Sequence, residues 1–391
     1  MGMIRKCAVC GSLAKDKIHI QKHLLPGKRS IVTYDVVGCK KCGFLFADNI
    51  PSQKEYERYY KASNKYTYGK SVPAGLLKIY EDIYGVANRI INKYNPSVVK
   101  RDFTILDVGC SIGSLLNIFK EHGFQSLSGV EPSEQCSLLA KELYGIEVFP
   151  GLLSGYSPGR QFDLLMMTGV LEHVSDFETL LPQVVGLLKD SGLLMVVVPD
   201  AENFSLRPCS PFDEFSVEHI NYFTAKTLSN LMRRFTLKNI HTRSIAAPFY
   251  DSRCLVSFYH KSLQPGPIET DRTGKFGLKK YIDASQKKLS MLNRKLDLVI
   301  KSNDDIIVWG TGALTYRLLA TSKLSKMNIS AFVDSNTFLQ GKIINKVKIV
   351  SPDLFEQINN GTVFIASHIY GEEIRQILRN RYRFKGKVIS M

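Results

Sequence analysis

Apolar positions along the chain follow two alternating patterns. Between residues 101 and 260, short apolar runs of strand length occur at Thr104–Val108, Ser126–Val130, Ile146–Phe149, Phe162–Thr168, Gly192–Val198, Leu237–Arg243 and Cys254–His260. Segments with apolar residues every three or four positions fall between them, at Leu115–His122 and at about 134–143, 177–189 and 224–235. Strands alternating with helices predict a parallel sheet covered on both faces. The last two runs have no room for a helical crossover, so they are expected to close the sheet as an antiparallel hairpin. Ahead of this region the pattern predicts a hairpin (Ile18–His23 and Ile31–Val37, turning at Pro26-Gly27) and an amphipathic helix over Leu76–Tyr94. Behind it, Leu278, Ile282, Ser285, Leu289, Leu292, Leu296 and Val299 repeat with 4,3 spacing. That is a long helix lying on its own core or a seam for a second copy through 278–299. Further strands are expected at Ile306–Trp309, Ala331–Asp334, Thr362–Ser367 and Lys387–Ser390.

At 391 residues the chain is too long for one ordinary domain. The expected division is 1–50, a helical and Tyr-rich connector at 51–100, the alternating region at 101–260, a linker helix at 261–300, and an α/β domain at 301–391. The longest apolar stretch, Leu193–Val198, is far short of a membrane span. The first dozen residues hold Arg5, Lys6 and two cysteines in place of an apolar leader, so a cytoplasmic protein is expected. The net charge of +16 is uneven: +11 over residues 1–100, −8 over 101–200 and +13 over 201–391. Basic flanks attract phosphates, whether on nucleic acid, an anionic membrane or a small substrate. No run of like charges is long enough to form a nucleic-acid tail.

The stretch Thr104–Ser133 is a strand, a Gly-rich turn, a helix and a second strand ending at Glu131, the layout of a mononucleotide-binding half. Gly109 and Gly113 let the backbone approach a ligand closely, and the following helix N-terminus suits an anionic group. Glu131, 24 residues beyond Asp107, is placed to accept ribose hydroxyls. Asp107, Gly109, Ser111 and Gly113 form D-x-G-x-S-x-G, which resembles the first motif of class I S-adenosylmethionine (SAM) methyltransferases. Thr168-Gly169-Val170-Leu171-Glu172-His173-Val174 resembles the "LEHV" segment of the same enzymes. The resemblance implies that Thr168, Glu172 and His173 run beside the methionine half of SAM, within a seven-stranded sheet. The adenine side is weakly marked, because Gly151-Leu152-Leu153 lacks the usual acid.

Cys7-Ala-Val-Cys10-Gly11 and Cys39-Lys-Lys-Cys42-Gly43 are two Cys-x-x-Cys knuckles separated by 28 residues. Four thiolates in two such pairs suit structural Zn²⁺ best, with iron the alternative. His19 and His23 are expected at the surface. Tyr56, Tyr59, Tyr60, Tyr66 and Tyr68 follow, as a core-packing helix face or a substrate flap.

The segment Asp213 to Thr224 carries a second resemblance. With the cysteine pairs in front and an α/β domain behind, it is similar to the three-domain sugar C-methyltransferases that act on nucleotide-linked deoxysugars. Asp213, Glu218, His219, Tyr222, Phe223 and Thr224 match that family's segment, while Ser216 and Val217 replace its Tyr and His. The resemblance implies that Glu218 and His219 lie in the sugar pocket, with His219 the candidate base. The fold class expected is therefore α/β: a central seven-stranded class I methyltransferase sheet between an N-terminal zinc-binding domain and a C-terminal Rossmann-like domain. The last domain opens with Trp309-Gly310-Thr311-Gly312 and reaches Asp334 at ribose-acid spacing, but Thr315 replaces the third glycine of a dinucleotide fingerprint. It is read as a second nucleotide site, as scaffold, or as a wall of the acceptor pocket that brings Tyr316 near the substrate.

Three readings of function remain at this point. The first is SAM-dependent methylation of a nucleotide-linked sugar, at carbon or oxygen. The second is an RNA methyltransferase using the basic flanks. The third is a non-catalytic sugar-nucleotide-binding protein that keeps a SAM-like pocket.

Overall fold

A computed structural model describes residues 3–25, 31–51, 72–206, 210–302, 304–358 and 361–391. Two compact units emerge. The first comprises Met1–Ile18, Val36–Phe204 and Glu218–Leu278; the second comprises His19–Asp35, Ser205–Val217 and Lys279–Met391. The tyrosine cluster from Tyr56 to Tyr68 and the Pro26-Gly27 turn lie outside the described residues.

The strands of the first unit begin with β1 (Lys15–Leu24), β2 (Ile31–Cys39) and β3 (Leu45–Asp48), the outer part of the β1–β2 hairpin being counted with the second unit. Next come β4 (Ile105–Val108), β5 (Leu127–Glu131), β6 (Val148–Pro150), β7 (Phe162–Thr168) and β8 (Leu188–Pro199). The series ends with β9 (Asn221–Tyr222), β10 (Leu237–Ala247) and β11 (Ser252–Lys261). Seven of them form one sheet in the order β10-β11-β8-β7-β4-β5-β6. β6, β5, β4, β7 and β8 run parallel, and β11 runs antiparallel to both β8 and β10, which is the expected closing hairpin. The order reverses on either side of β4, so the crevice beyond its C-terminal end is the place where an open α/β sheet takes ligands.

Alternation along β7 shows how both faces are filled. Leu164 and Met166 join one buried cluster with Ile79, Ile83 and Ile90 of the helix Ala74–Tyr94. Leu165 and Met167 join the other, with Phe177, Leu181 and Val184 of the helix Phe177–Leu187. That second cluster also contains Cys7, Val9, Cys39, Cys42, Phe44 and Phe46, so the knuckle segment shares a core with the sheet.

Two strands escape the hydrophobic pattern. β3 and β9 pair antiparallel, Leu45 opposite Tyr222 and Phe46 opposite Asn221, within a small sheet ordered β1-β2-β3-β9. A two-residue strand has no periodicity to read, and its partner lies far away in sequence.

The second unit carries β12 (Ile306–Trp309), β13 (Ile329–Val333), β14 (Ile343–Ile344), β15 (Val347–Val350), β16 (Thr362–Ile365) and β17 (Lys387–Ser390). They are ordered β14-β15-β13-β12-β16-β17, parallel except for the β14–β15 edge. The helix Gly274–Ser302 lays Leu292, Leu296 and Val299 into this unit's core, with Leu289 packed against it. The C-terminal part of the 4,3 stripe thus packs within the chain. His19 and His23 are not at the surface as expected. His23 is buried with Nε2 2.8 Å from the Phe215 carbonyl, and His19 stacks on Phe212 at 4.7 Å. Apolar neighbours from residues 212–215 bury His23 and partly cover His19. Among the described residues, no helix is long and apolar enough to cross a membrane.

Candidate active site

The Gly-rich turn after β4 is held open by backbone conformations that disfavour side chains. Gly109, Ser111 and Gly113 have φ of 77°, 51° and 77°. A methyl group built on Gly109 would stand 2.7 Å from Val170 Cγ2, so the turn and the segment after β7 touch there. Glu131, at the end of β5, accepts the Ser111 N–H (3.0 Å) and the Ser133 N–H (2.9 Å), one on each carboxylate oxygen. This clamps the turn to the second strand and leaves each oxygen a further lone pair. Burial raises the Glu131 carboxyl above its ordinary range, against the two N–H bonds.

Asp107 lies deeper. It is 2% exposed, its Oδ1 has no hydrogen-bond partner among the described residues, and burial followed by the nearby Glu131 charge pushes its carboxyl well up. Thr168 Oγ1, at the end of the neighbouring β7, is also buried without a partner among the described residues. Buried orphans of this kind are rare in folded proteins and call for a water, an ion or a ligand to complete the bonding. Asp107, Gly109, Ser111, Gly113, Glu131 and Thr168 therefore come together around the C-terminal ends of β4, β5 and β7. An orphan acceptor beside a second buried carboxylate suits a cationic, hydroxyl-bearing ligand, which SAM is.

Glu172 and His173 follow β7 in a short 3₁₀ turn, and residues 218–221 run against it. Four hydrogen bonds join the two segments. The Ile220 N–H donates to the Glu172 carbonyl (2.8 Å), and His173 Nδ1 lies 3.0 Å from the Glu218 carbonyl. Asn221 Nδ2 donates to the carbonyls of Leu171 (2.8 Å) and Val174 (2.7 Å). His173 and His219 meet edge to face with ring centroids 4.8 Å apart, and Glu172 Oε1 is 4.0 Å from His173 Nε2. The sequence-derived residues Glu172, His173 and His219 thus form one cluster, with Glu218 supplying its backbone carbonyl to hold His173.

Two residues essential to this arrangement were not legible in the sequence. Asn221 is one; Arg5 is the other. Buried Arg5 donates from Nη1 to the carbonyls of Ala47 and Ile220 (both 2.9 Å) and from Nη2 to Asn221 Oδ1 (2.7 Å). An arginine beside a knuckle looks like ordinary surface charge until the fold closes over it.

The knuckle segment has an internal near-symmetry. Gly11 N–H donates to the Cys7 carbonyl (2.8 Å) and Gly43 N–H to the Cys39 carbonyl (3.0 Å), both glycines having positive φ. Cys7 Sγ lies 3.4 Å from Cys42 Sγ, and Cys10 Sγ 3.5 Å from Cys39 Sγ, with all four sulfurs within 4.8 Å of one another. A tetrahedral cation with metal–sulfur bonds of roughly 2.3 Å needs sulfur–sulfur edges of about 3.8 Å, which this set fits. Next to it, a methyl on Gly43 would fall 2.0 Å from the Asp271 carbonyl oxygen. Asp271 in turn accepts from Thr224 Oγ1 (2.8 Å), the cap of the helix that follows β9.

In the second unit the turn after β12 is differently furnished. Asp334 Oδ2 accepts both the N–H and the Oγ1–H of Thr311 (2.7 Å each), and Thr315 Oγ1 donates to the Gly310 carbonyl (2.6 Å). Tyr316 is half-buried. Arg317 is buried, pairs with Asp213 and donates to Ser210 Oγ (3.1 Å), while its Nε has no partner among the described residues. Burial alone would raise Asp213, but Arg317 and then His368 hold it below the usual carboxylate range. The expected Asp213–Thr224 segment is thus divided, Asp213 belonging to the second unit and Glu218 onward to the first.

Residues 81–242 match the family model of a methyltransferase domain, and residues 302–389 match one described as C2185-like, N-terminal. The chain is 29% identical over 105 residues to (S)-coclaurine N-methyltransferase of Papaver somniferum, covering 25% of this chain and 30% of that protein. It is 30% identical over 98 residues to ubiquinone biosynthesis O-methyltransferase of Rhodopseudomonas palustris strain BisB5, covering 24% and 38%. The chain spans about a third of the length of these curated relatives. A similar solved structure is the 1,6-didemethyltoxoflavin-N1-methyltransferase of Burkholderia thailandensis, with bound 1,6-didemethyltoxoflavin and S-adenosylhomocysteine. It is 15% identical, covers 62% of this chain and 99% of its own, and has a TM-score of 0.37. Residues 81–242 thus resemble a methyltransferase domain, and the seven-stranded mixed sheet built on them, with its closing hairpin, has the α/β class I methyltransferase fold.

Proposed function

We propose that this chain transfers the methyl group of SAM to a small sugar acceptor, nucleotide-linked, at oxygen or carbon. The observation that carries the reading is the pinning of residues 218–221 onto residues 171–174 beside a turn with orphaned buried acceptors. That arrangement puts proton-handling side chains next to a cofactor cleft. When bound, SAM supplies a methyl on a sulfonium, whose in-line transfer needs alignment and an acceptor relieved of its proton. Asp107 and Thr168 offer polar atoms to the methionine half, Glu131 offers lone pairs to ribose hydroxyls, and Gly109 and Gly113 keep Cβ atoms out of the cleft.

Removing the acceptor's proton falls to the cluster of Glu172, His173 and His219, with Glu218 holding His173 in place. The sugar rests on the likeness of Asp213 to Thr224 to the sugar C-methyltransferases, together with the paired cysteines and the C-terminal α/β unit. Cys7, Cys10, Cys39 and Cys42 would hold a structural Zn²⁺ that orders the segment around β3. Incubation with isotopically labelled SAM and a panel of nucleotide-sugars, read by mass spectrometry, tests the reading. A labelled product from one nucleotide-sugar supports it; label carried only by RNA or by acceptors unrelated to sugars refutes the sugar assignment. His219→Ala is expected to lower turnover by ~10²–10⁴-fold with SAM affinity kept.

A further inference from the structure

We infer that Glu172, His173 and His219 form a binding site for a divalent first-row cation, separate from the four-cysteine site. The inference rests on the proposed acceptor site and specifies how it handles the proton. One carboxylate oxygen and two imidazole nitrogens, one from each residue, lie within 4.8 Å of one another. Two histidines and a carboxylate are a recurrent ligand set for catalytic cations, because they leave coordination positions open.

The second observation is the orientation of His173. Its Nδ1 faces the Glu218 carbonyl at 3.0 Å, an acceptor, so Nδ1 carries the proton and Nε2 is the ligating nitrogen of the neutral ring. A ring N–H fixed on a backbone carbonyl is the usual outer support of a metal-bound histidine. The Nε2 thus fixed lies 4.0 Å from Glu172 Oε1. Neighbouring ligands about 2.1 Å from a cation stand roughly 3 Å apart. Binding therefore draws the donors in by about 1–2 Å, which side-chain torsions supply.

The backbones that carry the donors are already locked. Ile220 N–H holds the Glu172 carbonyl, and Asn221 bridges to Leu171 and Val174. A cation there would polarise an acceptor hydroxyl and lower its pKa, so that the hydroxyl gives its proton to bulk water before methyl transfer. His219 then acts as a ligand in place of a free base.

The probe is Mn²⁺, a hard ion that thiolates bind poorly and carboxylate–imidazole sets accept. The full chain, purified with its cysteine site loaded with zinc, is titrated with Mn²⁺ and followed by electron paramagnetic resonance. One Mn²⁺ per chain is expected, with at least tenfold weaker binding in His173→Gln, in His219→Ala and in Glu172→Gln. An unchanged melting temperature and far-ultraviolet circular dichroism spectrum establish that each variant is folded. As a second measurement, Co²⁺ at this site gives weak ligand-field bands without the sulfur-to-metal charge transfer of the cysteine site. Absence of Mn²⁺ and Co²⁺ binding beyond the cysteines overturns the inference, as does binding that all three substitutions leave unchanged. Failure of the wild-type chain to bind SAM would instead remove the methyltransferase reading, leaving the metal count to stand by itself.

Discussion

The chain contains two Gly-rich turns of similar plan, and they are finished differently. In both, an acid at the end of the second strand accepts a backbone N–H from the turn: Glu131 from Ser111, Asp334 from Thr311. The first turn keeps Asp107 two residues before its opening glycine, buried with an orphaned oxygen, and Thr168 orphaned on the next strand. The second has Val308 at the corresponding position, buried among apolar neighbours, and Thr311 gives its hydroxyl as well as its N–H to Asp334. One turn leaves polar groups for a ligand to complete; the other completes itself. Fold alone therefore does not locate a nucleotide site, and hydrogen-bond accounting separates two turns that sequence spacing makes look alike.

Substituting the two acids gives the largest expected contrast. Glu131→Ala removes the acceptor of two turn N–H groups as well as the proposed ribose partner. Charge-assisted bonds of about 1.5–3 kcal/mol each predict at least a tenfold to hundredfold loss of SAM affinity by calorimetry. Asp334→Ala should leave that affinity unchanged; an equal loss would mean that the second turn takes part in SAM binding.

Acid should separate the units next. Burial, then the Arg317 charge, lowers His23 in the second unit to about 4, against 6.5 for a free histidine. The unfolded chain takes up this proton first, so the stabilising contribution is full above pH 6.5 and is lost as pH falls toward about 4. The loss is on the order of 3 kcal/mol. The first unit runs the other way, because Asp107 and Glu131 have raised folded pKa values. Their contribution to the ligand-free fold is present below the ordinary carboxylate range and is lost as pH rises through the folded values. SAM affinity should weaken on acidification through those same values, beginning above pH 4.5. Melting curves with His23→Gln and SAM titrations with Glu131→Gln check the two halves; each substitution should flatten its own profile.

The glycines give the smallest of the three effects. At Gly109 an added methyl meets both a φ of 77° and Val170, predicting roughly 1–3 kcal/mol of destabilisation in urea. At Gly312, with φ of −77° and nothing within 4 Å of an added Cβ, alanine should change stability by no more than about 0.5 kcal/mol.

Much of this contrast was legible before folding. The runs that became β4, β7, β16 and β17 are apolar and bounded by turn residues, and Asp107, Glu131 and the knuckle cysteines stand at informative spacings. What the sequence hid depends on distant pairing. Asn221 and Tyr222 form a strand only because Phe46 and Leu45 lie opposite them. Arg5 acquires its role from carbonyls at positions 47 and 220. His19 and His23 look like polar surface because the segment that covers them comes nearly two hundred residues later. Val308 and Asp107 could be told apart by eye, yet the saturation of Asp334 by Thr311 needed coordinates.

The pairing of Leu45–Asp48 with Asn221–Tyr222 also governs how this chain can be trimmed or recombined. Cutting away the first fifty residues would remove the neighbouring strand and the guanidinium that keep the histidine-bearing loop in register. Anyone grafting a new acceptor preference onto this scaffold must carry the amino-terminal cysteine segment along with that loop, as a single cassette.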